Sequence, residues 1–325
     1  MSRLGPYEVH QRIANGGMAE LFLASERLPD GTVKPVAIKR IRSEAARDPK
    51  LVKMLIDEGR VTKELAHPGI ARTIQTVKGG DIFYLVMEYV DGRDLRSLLK
   101  KLKEEGKRLP PALAALVALR VADALDYAHR AATEEGNHLQ IIHRDVNPTN
   151  LMITYSGVVR VIDFGIARAN DRLTSTQAGV VKGKLRYMAP EQASGKAIDH
   201  RADIYAVGLV LYEMLAGHQP LPQMSDMEFI GVVLRGTVPP LRDMPVGVPL
   251  ALDAIVEKAL ARDLDKRYQW CSQMAQDLEK WMSGLTRLPQ DTDLASVMAK
   301  LFPGEAARLP KLLSASATPT ASSSG

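Results

Sequence analysis

The stretch "IIHRDVNPTNLMI", residues 141–153, decides how this chain is read. Its polar run (His143, Arg144, Asp145, Asn147, Thr149 and Asn150, with Pro148 among them) lies between Ile141-Ile142 and Leu151-Met152-Ile153. A surface turn can carry such polarity, but large aliphatic residues on both sides mean that buried neighbours hold the loop in one place. An acid, Asp145, and an amide, Asn150, therefore share one anchored loop. The Asn two residues after Asp145 needs its own reason.

Working outward, residues 7–90 read mainly as strands. "YEVHQRIA" and "AELFLASER" flank the turn Asn15-Gly16-Gly17, a hairpin signature, and "VKPVAIKRI" follows the turn Pro29-Asp30-Gly31. One helix, 49–65, interrupts before "DIFYLVMEYV" returns to strand. After Gly92 the pattern turns helical over 95–102 and 111–130. Two short strand pairs surround the opening stretch, with "VVRVIDF" closing them. Beyond Asp203 helices dominate, punctuated by Pro and Gly at 217–222 and 236–249. The expected fold class is α+β: a small sheet-rich lobe, a larger helical lobe, and a ligand cleft between them.

Bulk properties agree. A chain of 325 residues is too long for most single cores, and 46% hydrophobic with 25% charged residues reads as soluble and globular. The net charge of +5 is spread along the chain, so no nucleic-acid partner is expected. A single cysteine, Cys271, reads as a small buried residue and points to a reducing compartment. The start, MSRLGPYEVH, has no signal-peptide apolar region, and the richest apolar run, from Pro111, is broken by Arg120, Asp123 and Asp126. A cytoplasmic location without a transmembrane segment is expected. Residues 284–311 form a helical extension in which Leu294, Val297, Met298 and Leu301 share a face, for docking on the larger lobe or on a partner. Residues 312–325, rich in Ser, Ala and Thr, read as a disordered tail.

The helix around Glu58 contains a conflict. Leu51, Met54, Leu55, Val61 and Leu65 fall on one face, and Glu58 points inward with them. A carboxylate there needs a partner, and Lys39, flanked by Ile38 and Ile41 on a strand, has the same difficulty. The economical solution is that they pair; a rim position in solvent is the alternative.

Together these residues resemble a bacterial eukaryotic-like (Hanks-type) Ser/Thr protein kinase over about residues 7–283, with a small lobe at about 7–90 and a larger one at 91–283. The parts come in the family's order: the glycine loop "IANGGMAEL", "VAIK", Glu58, the hinge "MEYV", "HRDVNPTN", "DFG" and "APE". The resemblance implies that Lys39, oriented by Glu58, holds the α- and β-phosphates of ATP. Asn150 and Asp163 would bind Mg²⁺, with Mn²⁺ as an alternative, and Asp145 would take or orient the substrate proton. It places Ile13, Ala14, Asn15, Gly16, Gly17, Met18, Ala19 and Leu21 over the nucleotide. Ala37 and Met152 would sandwich the adenine, Met87 would be the gatekeeper, and Glu88 and Val90 would offer hinge backbone. Asp94 would contact ribose, although capping a helix explains it equally well. Glu191 and Asp203 have framework roles, the former pairing with Arg267. Arg144 implies an activation segment docked through phosphate, with Thr174, Ser175 and Thr176 as autophosphorylation sites, self-association for that reaction, and protein substrates.

Three departures stand out. Ala14 and Ala19 occupy the outer glycine positions. Asn147 stands where the family has a lysine reaching the γ-phosphate, and Lys184 stands where it has a threonine bonded to that lysine. The last two look like one exchange, in which Lys184 supplies the catalytic charge, with Lys182 and Arg186 as neighbouring competitors. Pro148 argues for Ser and Thr hydroxyls. A pseudokinase scaffold and a small-molecule phosphotransferase are the rival readings; the intact Lys39, Glu58, Asp145, Asn150 and Asp163 oppose the first and the APE segment opposes the second.

Overall fold

In the computed structural model, residues 3–15, 19–42, 48–79, 82–133, 135–164, 184–220, 222, 224–235, 238–245, 247–309 and 312–313 are described. The small lobe is built on β4 (Val33–Ile41), which is apolar on both faces. Period-two alternation sends Val36 and Ile38 to one side, where they pack with Tyr7, Ala24 and Val86. Ala37, Lys39 and Ile41 face the other way, and Ile41 meets Leu55 and Leu85. Around it run β1 (Arg3–Leu4), β2 (Tyr7–Asn15), β3 (Ala19–Arg27), β5 (Thr73–Gly79) and β6 (Ile82–Glu88), in the order β1-β2-β3-β4-β6-β5. Strand β5 was not expected: TIQTVKG alternates poorly, and it is a strand because β6 offers it an open edge, with an irregularity between Thr73 and Gln75. Helix α1 (Pro49–Lys63) packs against β5 and β6 and stops two residues earlier than the pattern suggests.

The larger lobe centres on α5 (Arg201–Ala216), every residue of which after Arg201 is buried. A helix apolar all round belongs in a core. Helices α2 (Leu95–Glu104), α3 (Pro111–Arg130), α4 (Pro190–Ala193), α6 (Asp226–Arg235), α7 (Leu250–Ala259) and α8 (Cys271–Ser283) complete it, with α3 in contact with both α5 and α8. The two strand pairs expected around the opening stretch are instead one three-stranded sheet, β7 (Gly92–Asp94), β8 (Leu151–Thr154) and β9 (Val159–Val161), in that order. Gly92 makes this sheet feasible, because a Cβ there would collide with the Ile153 carbonyl. Among the described residues no helix is long and apolar enough to cross a membrane.

Beyond α8, helix α9 (Asp291–Leu301) docks on the larger lobe against α2 and β8, burying Leu294, Met298 and Leu301 with Val297 partly covered. Its start sits on the turn after β8, where Gly157 has φ +88° and a Cβ would run into the Asp291 carbonyl.

Candidate active site

Lys39 projects from β4 toward α1 and the end of the larger lobe's sheet. Its Nζ lies 2.9 Å from Glu58 Oε1 and 3.1 Å from Asp163 Oδ1. Helix α1 comes this close because Gly59 faces β5 and β6; any side chain there would strike Thr76 and Leu85. Thr62, one turn on, donates to the Glu58 carbonyl at 2.6 Å, so Thr73 is the donor in their 2.7 Å hydroxyl contact. Burial alone would lower the Lys39 pKa, but Asp163 and Glu58 together raise it, and the ammonium stays charged. Asp163 has a left-handed backbone (φ +53°), a conformation that costs energy for any residue but glycine.

The opening stretch is held from beneath by one carboxylate. Asp203, buried in α5, accepts from the His143 and Arg144 amides at 2.8 Å each and pairs with His129 Nε2 at 2.8 Å. Burial pushes the Asp203 carboxyl up, but the His129 ring and the amide donors outweigh it and hold the pKa below the usual value. This clamp keeps Arg144 at φ +64°, a strain of about 1–3 kcal/mol that it must offset. The buried His143 ring accepts from the Asp145 amide at Nδ1 (3.2 Å), so its proton sits on Nε2 and is given to the Ile162 carbonyl at 3.1 Å. The same ring lies 4.7 Å from Phe164. Loop and strand end are thus one unit. Asn150 Nδ2 donates to the Asp145 carbonyl (2.8 Å) and to its Oδ2 (3.1 Å), fixing the carboxylate and the amide together.

Asn147 gives the opening stretch its internal brace. It is buried, donates to the Asp145 carbonyl at 2.8 Å, and accepts from the Thr149 amide at 2.9 Å and hydroxyl at 2.5 Å. An amide spent this way closes its own turn and is not offered to a phosphate. Lys184 opens a short 3₁₀ turn, Lys184–Tyr187, but its side chain lies outside the described residues. Of its neighbours, Arg186 is buried and engaged, pairing with Asp226 at 3.0 Å and donating to the Met224 carbonyl; Lys182 is outside the described residues.

A cavity of about 700 Å³ opens between the lobes beside these groups, within the usual size for a small-molecule site. Ile13, Ala14, Leu21, Ala37, Met87, Glu88, Val90, Asp94 and Met152 line it, with Glu58, Asn150 and Asp163 at its inner end. Asn15 and Ala19 do not line it, and Lys39 reaches it through its two carboxylate partners. Gly16, Gly17, Met18, Thr174, Ser175 and Thr176 lie outside the described residues. Glu88 already gives its amide to the Arg72 carbonyl at 2.8 Å. Asp94 caps α2, its two oxygens taking the Ser97 amide (2.9 Å) and hydroxyl (2.8 Å), so capping accounts for it without a ribose.

The protein kinase domain family matches residues 7–281. This chain is a member of that family. It is 37% identical over 318 residues to the tyrosine-protein kinase MasK of Myxococcus xanthus, covering 97% of this chain and 49% of MasK. It is 37% identical over 284 residues to the serine/threonine-protein kinase PknB of Mycobacterium leprae, covering 86% and 43%. The chain thus spans half or less of these relatives. A crystal structure of the Mycobacterium tuberculosis PknI kinase domain superposes with a TM-score of 0.63 at 26% identity, over 86% of this chain and 96% of that one. The resemblance read in the motifs is therefore real, and a pseudokinase reading is not favoured.

Kinase family membership implies use of ATP and a divalent cation, and the donors here suit one. Asn150 turns its Nδ2 toward Asp145 and its amide oxygen away from it, where the Thr149 hydroxyl makes only a long 3.5 Å contact, and Asp163 contributes a carboxylate on the same cavity wall. Hard oxygen donors of this kind would suit Mg²⁺.

The kinase frame also contains two clusters that the motifs did not reveal, around Glu20 and Arg96, and one pair that the resemblance implied, Glu191 with Arg267. Buried Glu20 on β3 pairs with Arg12 Nη1 at 3.0 Å and Arg40 Nη2 at 2.5 Å, tying β2, β3 and β4 together. Arg96 pairs with Glu213 at 3.0 Å and donates to the Tyr187 hydroxyl at 2.6 Å, joining α2, α5 and the APE-proximal turn. Glu191 and Arg267 pair at 2.7 and 3.3 Å with the Arg267 side chain fully buried.

Proposed function

We propose that this domain transfers the γ-phosphate of ATP to Ser or Thr hydroxyls of proteins. The observation that carries the reading is that one cavity is lined by Glu58 and Asp163, the two partners of Lys39, and by Asn150, the partner of Asp145. Lys39, permanently charged, neutralises the α- and β-phosphates, and Glu58 stops it collapsing elsewhere. Asp163 and Asn150 would hold the cation, which when bound would supply positive charge against that developing on the transferring group. Asp145, steered by Asn150, receives the hydroxyl proton as the oxygen–phosphorus bond forms and the bond to the leaving ADP breaks. Adenine fits between Ala37 and Met152, from opposite lobes.

A tyrosine-directed reading has one observation in its favour: MasK, whose match covers nearly the whole chain, is named a tyrosine kinase. Pro148 in the opening loop and the name of PknB favour Ser and Thr. Incubating the full chain with Mg²⁺ and labelled ATP, with and without a generic protein acceptor, and identifying the phosphorylated residue types by mass spectrometry decides between them. Phosphotyrosine alone, or no transfer at all, overturns the proposal.

Two predictions belong to this reading. Autophosphorylation is expected within "RLTSTQAG", at Thr174, Ser175 or Thr176, because phosphate there can pair with Arg144 and order the segment. Mutating all three to Ala should lower both phosphate incorporation and acceptor turnover; unchanged values in both assays discard the idea. Lys184→Ala should lower kcat roughly 10²-fold, as loss of one cation near the transferring group does. Since Asn147 is a structural brace, Asn147→Lys should restore only part of that loss in the double mutant. A silent Lys184→Ala ends the exchange hypothesis.

A further inference from the structure

The match to the kinase family ends at residue 281, yet the folded chain continues and returns to the cleft. After α9, Phe302 packs into the larger lobe and stacks under Arg93, the guanidinium 5.7 Å from its ring centre. Glu305 then meets Arg93 with two hydrogen bonds, Nε at 2.6 Å and Nη2 at 2.8 Å, and accepts the Tyr155 hydroxyl at 2.7 Å. The fork-on-carboxylate geometry is the strongest form of such a pair. The Arg93 guanidinium, with help from Tyr155 and Arg308, holds the Glu305 carboxyl down to about 2, so the clamp is charged at every ordinary pH.

The chain beyond Glu305 lies where a nucleotide would enter. Glu305, Arg308, Leu309 and Leu312 form part of the wall of the interlobe cavity together with Ile13 and the hinge segment 88–94, whose Arg93 is held by Glu305. Leu313 borders a shallow pocket walled by Arg3, Glu8 and Val33 of the small lobe. Described residues of this stretch thus meet the larger lobe at Glu305, the cavity at Leu309 and Leu312, and a pocket of the small lobe at Leu313.

We propose that Glu305, Arg308, Leu309 and Leu312 act as a strap that closes the hinge side of the nucleotide cleft, so that a bound nucleotide leaves fully only when the Glu305 clamp opens. The proposal rests on the reading of the cavity as a nucleotide site. Two physical effects support it. Leu309 and Leu312 replace solvent along one side of the cavity, and a segment touching both lobes resists the separation through which release proceeds. Because the catalytic groups are at the other end of the cavity, the strap acts on nucleotide exchange and not on phosphoryl transfer itself.

The test is stopped-flow release of a fluorescent N-methylanthraniloyl ADP, bound with Mg²⁺ to the full chain and chased with excess ATP. Glu305→Ala should speed release by about ten-fold and Tyr155→Phe by about three-fold, since differences of this kind fall mainly on the dissociation rate. Leu309→Ser leaves the clamp intact and should also speed release. Thermal unfolding without nucleotide separates this role from a purely structural one: a lower midpoint with unchanged release in all variants overturns the strap. If Glu305→Ala does not fold, unchanged release in both Tyr155→Phe and Leu309→Ser overturns it equally. Absence of analogue binding to the unmodified chain refutes the nucleotide-site reading, and the strap with it, whereas tight binding with unaltered release refutes the strap alone.

Discussion

Lys39→Met and Asp163→Asn are each expected to abolish phosphoryl transfer in a protein that still folds. In the proposed function Lys39 neutralises charge where the phosphates would bind, and Asp163, on the cavity wall, would be one of two cation donors. Removing one preorganised electrostatic group costs on the order of 10²–10³ in rate, and removing a cation ligand costs more because the metal's share goes with it. Asn is the right replacement at 163: the backbone there has φ +53°, which Asn tolerates better than Ala, so lost activity is not confused with a distorted strand end. In Lys39→Met the Glu58 and Asp163 carboxylates lose their shared cation, and a modest stability loss accompanies the loss of turnover. Transfer of labelled phosphate, read against circular dichroism melts, measures both. Turnover within three-fold of the parent in a folded variant sinks the active-site assignment.

The largest expected effect on stability lies elsewhere, at Glu191. Its carboxylate faces Arg267, whose side chain has no solvent exposure. Glu191→Ala leaves that cation in the core with the Ala261 and Arg201 carbonyls (3.0 and 2.8 Å) and the face of Tyr205 as its remaining company. Breaking one side of a buried pair costs about 3–5 kcal/mol, and the two carbonyls place this case at the lower end. The double replacement Glu191→Leu with Arg267→Met removes both charges and should recover much of the loss. Urea denaturation of the three proteins decides it, and a single-mutant loss below about 1 kcal/mol would falsify the account.

Where each side chain's neighbours are near in sequence, or imposed by period, the chain was readable. Alternation in "VKPVAIKRI" and the helical spacing around Glu58 placed two groups with the same unsolved charge, and the structure brings them together. Strand β5 escaped because its threonines and lysine have no apolar rhythm; only the edge of β6 makes it a strand. Strand β7 escaped because Asp94 reads as a helix start, which it also is. Glu20 could not be paired in advance, since its neighbour Arg40 is opposite only once the β3–β4 register is known. Asn147 was legible as a departure but not as a brace, because a turn's internal hydrogen bonds depend on its dihedrals. Glu305 carried no signal at all: it lies 212 residues from Arg93, in a segment without periodicity.

The single Asp203 carboxylate that takes both the His143 and Arg144 amides has a consequence for how this molecule ages and inactivates. It welds the segment carrying Asp145 and Asn150 to the most deeply packed helix, so that half of the machinery shares its lifetime with the lobe interior and is lost only when the interior melts. Lys39 and Glu58 belong to a curled sheet and one short helix whose apolar clusters are much smaller. Heat, denaturant or a passing protease therefore meets an anvil and a hammer of unequal durability, and the hammer loosens first.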